Sequence, residues 1–197
     1  MRIVAGKHRS RILKSLEGDN TRPTSDKVKE AIFSRVGPYF EEGTMLDLFG
    51  GSGNITLEAL SRGMSHSVIV DSHPKAIGII KTNVKALNEE ANVEILKMDF
   101  KSALNKLAQE QRSFDLIYLD PPYKKQQIDF ILSFLVEHQM LKAGANVICE
   151  SLKEDQFQET YGNLVLQKEA GEAGLPLGEG EFGSVLRSTG DWPTLPL

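Results

Sequence analysis

Short apolar segments alternate with amphipathic segments through the middle of the chain. The apolar runs predict strands at 45–49, 67–71, 93–97, 114–119 and 145–150. Between them, apolar residues recur every three or four positions, which predicts helices at 54–62, 74–88, 100–109 and 126–138. Strands that alternate with helices pair in parallel through right-handed crossovers. The pattern therefore predicts the α/β class, with a doubly wound, mostly parallel sheet.

The two ends of the chain depart from this alternation. Residues 1–25 are turn-rich and predict an extended segment, followed by a helix that begins near Asp26 and ends before Gly37-Pro38. Residues 170–197 contain six glycines, three prolines and four acids, and only 184–186 are strand-like. We expect a basic extension over 1–25, a main domain over 26–197, and an atypical tail over 170–197. In that tail, either the last strand is degraded or displaced, or the reading frame is altered.

Composition narrows the class of protein. A chain of 197 residues, 40% hydrophobic and 25% charged, is typical of one soluble globular domain. The single cysteine, Cys149, cannot form an intramolecular disulfide, which favours a reducing, cytoplasmic compartment. No apolar run approaches the ~20 residues of a membrane span, so we expect no membrane partner. The four histidines form no ligand spacing, so we expect no metal.

Charge is distributed unevenly along the chain. The total is −4, but residues 1–35 carry nine basic and four acidic side chains, a net +5, and the remaining 162 residues carry −9. A basic segment on an acidic body suggests an anionic partner at one end, although a solubilising segment would give the same pattern. The candidate phosphate-binding side chains are Arg2, Lys7, Arg9, Arg11, Lys14, Arg22 and Lys27.

A glycine-rich loop follows the first predicted strand of the sheet, and ligands of such sheets bind at the carboxyl ends of strands. The segment reads Asp47-Leu48-Phe49-Gly50-Gly51-Ser52-Gly53. Glycines there allow close approach of a ligand to the backbone. Thr56 stands where a dinucleotide fingerprint has its third glycine, so the loop fits a nucleoside-type cofactor without a pyrophosphate better. A plain strand–helix turn is the alternative.

Polar residues also follow the next two predicted strands. Asp71, with Ser72 after it, can accept hydrogen bonds from both hydroxyls of a ribose. Asp99 can accept from an adenine amino group, with Phe100 beside the ring. An ordinary acid at a strand end and a helix N-cap are the structural alternatives for Asp71 and Asp99.

The most specific signal is Asp120-Pro121-Pro122-Tyr123, directly after a very apolar strand. Two prolines fix the loop and leave no N–H at either position, so one carboxylate and free carbonyls face the cleft. These groups suit the exocyclic amine of a planar ring, whose two N–H bonds they accept. Tyr123 can stack on that ring.

These motifs resemble class I S-adenosylmethionine-dependent methyltransferases that carry an Asp-Pro-Pro-Tyr-type motif. Within that class, the chain is similar to the bacterial 16S ribosomal RNA guanine-N2 methyltransferase family over residues 1 to about 168. The similarity is carried by Val4-Ala5-Gly6, Arg11-Ile12-Leu13, the Thr21–Ala31 segment with Arg22, Pro23 and Thr24, the glycine loop, Leu57–Gly63 and the Asp-Pro-Pro-Tyr segment.

The resemblance implies methylation of one guanine N2 in small-subunit rRNA, with S-adenosylmethionine over the glycine loop. The partner would be 16S rRNA or a small ribosomal subunit particle, bound by a monomer through the N-terminal residues. The family favours a glutamate where Asp71 stands and a further glycine near Ser10. It also closes its sheet with a hydrophobic strand after a Tyr-Gly pair, for which Phe182-Gly183 is the candidate here.

Other functions remain open from the residues. A DNA adenine-N6 methyltransferase or a glutamine side-chain methyltransferase would use the same amine chemistry. An oxidoreductase that binds a dinucleotide is disfavoured by Thr56. A catalytically impaired RNA-binding relative would keep the basic segment and the cofactor loop without turnover.

Overall fold

The computed structural model describes residues 1–16, 26–122, 124–152, 157–167, 175–178 and 181–190. It forms two compact units, Met1–Ala103 and Leu104–Leu197. The described helices are α1 (Asp26–Val36), α2 (Asn54–Ser61), α3 (Pro74–Ala86), α4 (Phe100–Gln109) and α5 (Lys124–Glu137). The described strands are β1 (Thr44–Asp47), β2 (His66–Asp71), β3 (Val93–Lys97), β4 (Phe114–Leu119), β5 (Leu141–Leu152), β6 (Thr160–Tyr161), β7 (Leu164–Leu166), β8 (Leu175–Gly178) and β9 (Glu181–Ser188).

The first unit has a parallel sheet in which β2 lies between β1 and β3. Met45 of β1 pairs with Ser67 of β2, and Ile69 of β2 pairs with Ile95 of β3. The middle of β2, 68–70, is buried, as expected for a parallel strand covered on both faces. The carboxyl ends of β1, β2 and β3 therefore lie at one edge, where the glycine loop, Asp71 and Asp99 follow.

Residues 1–16, called here the N-terminal segment, are folded against this unit. An antiparallel bridge joins Arg2 to Ile12, and Ile3 N–H donates to the Arg11 carbonyl at 2.9 Å. Ile3 and Leu13 are buried, so they fix the segment through apolar contacts. Of the extended, turn-rich segment predicted over 1–25, the described residues 1–16 contain turns, but they fold into a closed turn and are not extended.

The second unit contains β4 and β5 in parallel, and it continues with antiparallel strands. β9 lies between β5 and β7, β6 pairs with β7, and β8 pairs with β9. Ile117 of β4 pairs with Val147 of β5, and Ile148 pairs with Val185 of β9. Helix α4 begins in the first unit and continues into this one.

The predicted α/β class with a mostly parallel sheet of core strands is confirmed, because β1 to β5 alternate with helices and pair in parallel within their units. Several boundaries differ by one or two residues, and those of β5 differ most. Helix α5 begins at Lys124 rather than at residue 126, and β5 extends over Leu141–Leu152 rather than 145–150. The register of β5 against β4 shifts between Phe114 and Leu116, which accommodates the extra length.

The expectation of a degraded or displaced last strand is wrong. β9 pairs with β5 at seven positions from Asn146 to Leu152. Its Val185 and Leu186 are buried. Phe182-Gly183, the candidate for the Tyr-Gly pair, lies at the start of β9, directly before the buried part of that strand. In the described part of the chain, no helix has both the length and the apolar character needed to cross a membrane.

Candidate active site

The glycine loop after β1 comprises residues 50–53 and is called here the cofactor loop. Gly51 and Gly53 have φ of +55° and +79°, in the left-handed region that favours glycine. A Cβ at Gly50 would lie 2.5 Å from Cγ1 of Ile69, whereas one at Gly51 would meet no atom within 4 Å. Gly50 therefore packs against the sheet, and Gly51 faces open space.

Asp47 forms hydrogen bonds that fix the start of the cofactor loop. Its side chain is buried, with Oδ2 accepting from the Thr56 hydroxyl at 2.8 Å and Oδ1 from Phe49 N–H at 3.2 Å. Thr56, the residue that departs from the dinucleotide fingerprint, therefore connects α2 to the end of β1. These contacts assign Asp47 a structural role in shaping the loop, in addition to the cofactor-binding role predicted for it.

Asp71 lies at the end of β2 and is bonded to the cofactor loop. Its Oδ2 accepts from Gly51 N–H at 2.9 Å, and Oδ1 accepts from His73 N–H at 2.8 Å. A carboxylate has about four lone-pair sites, so two further donors can still be accepted. Asp71 therefore holds the loop and retains acceptor capacity for two ribose hydroxyls. Ser72 is exposed beside it.

The residues after β1 and β3 meet through their aromatic rings. The ring centroids of Phe49 and Phe100 are 5.4 Å apart, and both side chains are half-buried. Asp99 is exposed and accepts from N–H and hydroxyl of Ser102, at 3.0 and 2.6 Å. These hydrogen bonds hold the pKa of Asp99 below its ordinary value. Asp99 thus caps α4, which is the structural alternative for this residue.

These residues fit a nucleoside-type cofactor. Gly53 is the N-cap of α2 and provides no capping side chain. The adjacent Asn54 is buried, and its Nδ2 has no hydrogen-bond partner. The site suits a ribose with a planar base. Gly51 leaves open space, the Asp71 carboxylate can accept from ribose hydroxyls, and the half-buried aromatic pair can flank the base. The loop, Asp71, Phe49 and Phe100 are therefore brought together as predicted.

In the second unit, Asp120 follows the last residue of β4. Leu119 and Pro121 are buried, Asp120 is half-buried and Pro122 is exposed. Proline at both positions fixes φ and removes two backbone donors, so this turn presents acceptors. Tyr123 lies outside the described residues, and its predicted stacking role remains a prediction.

A buried tyrosine–glutamate pair lies close to this turn in the sequence of β4 and β5, and it was not predicted. The Tyr118 hydroxyl donates to the carboxylate of Glu150, and both side chains are buried. Glu150 is near the carboxyl end of β5, one position beyond the pair Leu119–Cys149. A glutamate inside an otherwise apolar run was the available signal.

The predicted RNA-binding side chains of the N-terminal segment are exposed, and several are already paired. Arg2 Nε is 2.7 Å from Asp26 Oδ2, Lys7 Nζ is 2.6 Å from Glu89 Oε1, and Arg11 donates to the Ala86 carbonyl at 2.6 Å. Arg9, Lys14 and Lys27 are also exposed. Arg22, Pro23 and Thr24 lie outside the described residues.

A buried charged cluster, also missed from the sequence, anchors this segment. Glu58 on α2 accepts from the N–H groups of Val4 and Ala5, at 2.8 and 3.0 Å, and from Arg62 Nε at 2.8 Å. Lys29 lies 3.4 Å from Glu58, and neither side chain is exposed. Burial lowers the pKa of Lys29, although Glu58 opposes the shift. The cluster joins α1, α2 and the N-terminal segment.

Among the described residues, no group of three or more His, Cys, Asp or Glu side chains is arranged to hold a metal ion. Cys149 is buried in β5, and burial raises the pKa of its thiol. It is placed as a core residue and takes no part in the site.

Comparisons with known proteins give consistent matches. The family model described as conserved hypothetical protein 95 matches residues 1–177. A Bacillus subtilis protein named "Putative rRNA methyltransferase YlbH" is 42% identical over 168 residues, covering 85% of this chain and 91% of that protein. Ribosomal RNA small subunit methyltransferase D of Haemophilus influenzae is 34% identical over 170 residues, covering 86% and 87%. The crystal structure of the "putative methylase HI0767" of Haemophilus influenzae has a TM-score of 0.74 at 28% identity, covering 96% and 98%.

Proposed function

The chain belongs to the family described as conserved hypothetical protein 95, and we propose that it methylates the exocyclic N2 of one guanine in small-subunit (16S) rRNA. It is an S-adenosylmethionine-dependent rRNA methyltransferase, in line with the names of its relatives. The observation that carries the guanine proposal is the Asp120-Pro121-Pro122 turn at the carboxyl end of β4, where a half-buried carboxylate is followed by two residues without an N–H. The cofactor loop and Asp71 occupy the equivalent ends of β1 and β2.

The first unit holds the cofactor in this proposal. Gly51 leaves room for it, Asp71 accepts the ribose hydroxyls, and Phe49 and Phe100 flank the adenine with Asp99 and Ser72 near the rim. Asp47 and Thr56 keep the loop in position. S-adenosylmethionine supplies a methyl group on a positively charged sulfur, which is electrophilic enough to react with a weakly nucleophilic amine.

The second unit binds the target amine. The lone pair of a guanine amine is delocalised into the ring, so the amine is a poor nucleophile. The Asp120 carboxylate and the Pro121 carbonyl accept its two N–H bonds, orient the lone pair and stabilise the charge that develops on nitrogen. The methylated amine then loses a proton readily to water, so no strong general base is required. Tyr123 would stack on the guanine after it leaves its helix.

The N-terminal segment and Lys27 would bind the RNA backbone. Arg9, Arg11, Lys14 and Lys27 are exposed on the unit that carries the cofactor loop. Counter-ion release makes such phosphate contacts weaken as salt increases. Arg22, Pro23 and Thr24, which lie outside the described residues, are proposed from the sequence to bind RNA as well.

The substrate is the small ribosomal subunit or its 16S rRNA, and the enzyme acts in the cytoplasm, where ribosomes assemble. It acts as a monomer, because one chain carries both the cofactor-binding and the amine-binding residues. Light scattering of the purified chain, alone and with RNA, tests the oligomeric state.

Replacement of Asp120 tests the assigned chemistry. Asp120→Ala removes one acceptor from the amine and is expected to lower methyl transfer to unmodified small-subunit particles by about 10²-fold or more. Binding of S-adenosylhomocysteine, measured by calorimetry, should be nearly unchanged. Asp115→Ala is the matched control on the same strand, because Asp115 forms an exposed ion pair with Lys142, and such pairs contribute little to stability. Equal loss of binding and transfer in Asp120→Ala would contradict the assignment.

A further inference from the structure

The cofactor loop is joined to the N-terminal segment through one buried side chain. Asn83 lies on α3 and is 1% exposed. Its Nδ2 donates to the Ser52 carbonyl at 2.9 Å and to the Lys14 carbonyl at 3.0 Å. Its Oδ1 accepts from Lys14 N–H at 2.8 Å. Both donors and the acceptor of one amide therefore connect the candidate cofactor site to the candidate RNA-binding segment.

Two further contacts connect the same pair of segments. The Ser52 hydroxyl lies 3.6 Å from Sδ of Met1. Lys29 Nζ donates to the Arg2 carbonyl and, at 2.9 Å, to Oδ1 of Asn54, the first residue after the cofactor loop. The loop and the segment are thus connected at three separate points, of which Asn83 contributes the most hydrogen bonds.

We propose that Asn83 is a positioning residue that couples RNA binding at the N-terminal segment to cofactor binding at the loop. This inference rests on the proposed function. The Asn83 amide bonds the Lys14 and Ser52 backbones at the same time, so a ligand that fixes one backbone favours the bonded position of the other. Each ligand then tightens the binding of the other by the same factor, as linkage requires.

The chemistry of asparagine suits this role. Both carbonyls need a donor and Lys14 N–H needs an acceptor, and a planar amide supplies all three groups. Aspartate at position 83 would keep the acceptor for Lys14 N–H and lose both donors. Alanine would lose all three bonds and remove the Asn83 partner from three part-buried backbone groups.

The test measures the affinity for S-adenosylhomocysteine by equilibrium dialysis, with and without saturating small-subunit particles from a strain that lacks this enzyme. In the unchanged protein, particles should tighten this binding about fivefold or more, the usual lower range of coupling between sites. Asn83→Ala should bring the ratio of the two affinities close to one while both ligands still bind. Thr82→Ala is the matched control, since the exposed Thr82 hydroxyl bonds only within α3, to the Gly78 carbonyl.

A purely structural role would lower stability without changing that ratio in the folded protein, so the ratio separates the two roles. If Asn83→Ala does not fold, Asn83→Asp carries the test, with the same loss expected. A ratio near one in the unchanged protein, or a full ratio in the variants, would overturn the coupling. Failure of the proposed function gives a different result from failure of the coupling. The unchanged protein would then transfer no methyl group to the particles.

Discussion

At the scale of single residues, backbone conformation separates positions that support the fold from positions that face a ligand. Gly50 and Gly51 are adjacent, yet the first packs against Ile69 and the second faces open space. The sequence predicts both as cofactor-binding residues, because two neighbouring glycines look alike in a motif. Their difference depends on side chains of β2 and α3, which are distant in the sequence.

Alanine should destabilise the fold at either glycine, but it should weaken cofactor binding mainly at Gly51. Gly50→Ala drives a methyl group against Ile69 and is expected to cost about 1–3 kcal/mol of unfolding free energy. Gly51→Ala meets no atom, although its left-handed φ costs about 1–2 kcal/mol, and its methyl group points toward the proposed cofactor. Urea unfolding and S-adenosylhomocysteine binding are measured on both variants. The loss of binding free energy, divided by the loss of unfolding free energy, should be larger for Gly51→Ala than for Gly50→Ala. A larger ratio for Gly50→Ala would contradict the placement of the cofactor against Gly51.

Ser10 carries a conformation that its side chain disfavours. Its φ is +69°. The family that the sequence resembles favours a glycine near this position. Ser10→Gly should raise the free energy of unfolding by about 0.5–1 kcal/mol, since glycine adopts this conformation without a steric cost. Ser10→Ala retains the Cβ and controls for loss of the hydroxyl. A decrease in stability in Ser10→Gly, measured by denaturant midpoint, would contradict this account.

At the scale of elements, the N-terminal segment depends on the buried carboxylate of α2. Glu58→Ala removes the acceptor for Val4 and Ala5 N–H and takes the anion from the buried Lys29. Arg62 loses the same carboxylate but keeps its ion pair with Glu30. The expected loss is about 3–5 kcal/mol of unfolding free energy. Urea unfolding measures it. The exposed Glu90 is the control, and Glu90→Ala should stay within about 0.5 kcal/mol.

The core elements were predictable because their apolar periodicity is strong and local. Helix α4 and strands β3 and β4 have the predicted bounds. Only 184–186 of β9 were strand-like in the sequence, because glycines surround them. The full length of β9 depends on its pairing with β5 and β7, which are distant in the sequence. Likewise, nothing local in the sequence indicates that Asn83 meets Lys14 and Ser52, or that Glu58 meets Val4.

At the scale of the whole molecule, the net charge of −4 is an average over parts with different partners. Acidic residues at the strand ends, Asp71, Asp99 and Asp120, suit a cationic cofactor and an amine. The basic residues of the N-terminal segment suit phosphate. The acidic isoelectric point, near 5.6, is therefore compatible with an RNA substrate.

Salt should weaken RNA binding in proportion to the phosphates contacted. The logarithm of the affinity should fall linearly with the logarithm of salt, with a slope of about −0.7 to −0.9 for each phosphate. Arg9→Gln should reduce that slope by about one phosphate. Lys106→Gln, at an exposed ion pair on α4, is the control and should leave the slope unchanged. An unchanged slope in Arg9→Gln would remove Arg9 from the RNA-binding surface.

The most direct test of the central claim is the identity of the methylated nucleoside. The enzyme is incubated with radiolabelled S-adenosylmethionine and, separately, unmodified small-subunit particles, naked 16S rRNA and DNA. Each nucleic acid is then digested, and the labelled nucleoside is identified by chromatography and mass spectrometry. The account predicts label in N2-methylguanosine from the particles or the rRNA. Label in N6-methyladenine of DNA, or no labelled guanosine in either RNA substrate, would contradict it.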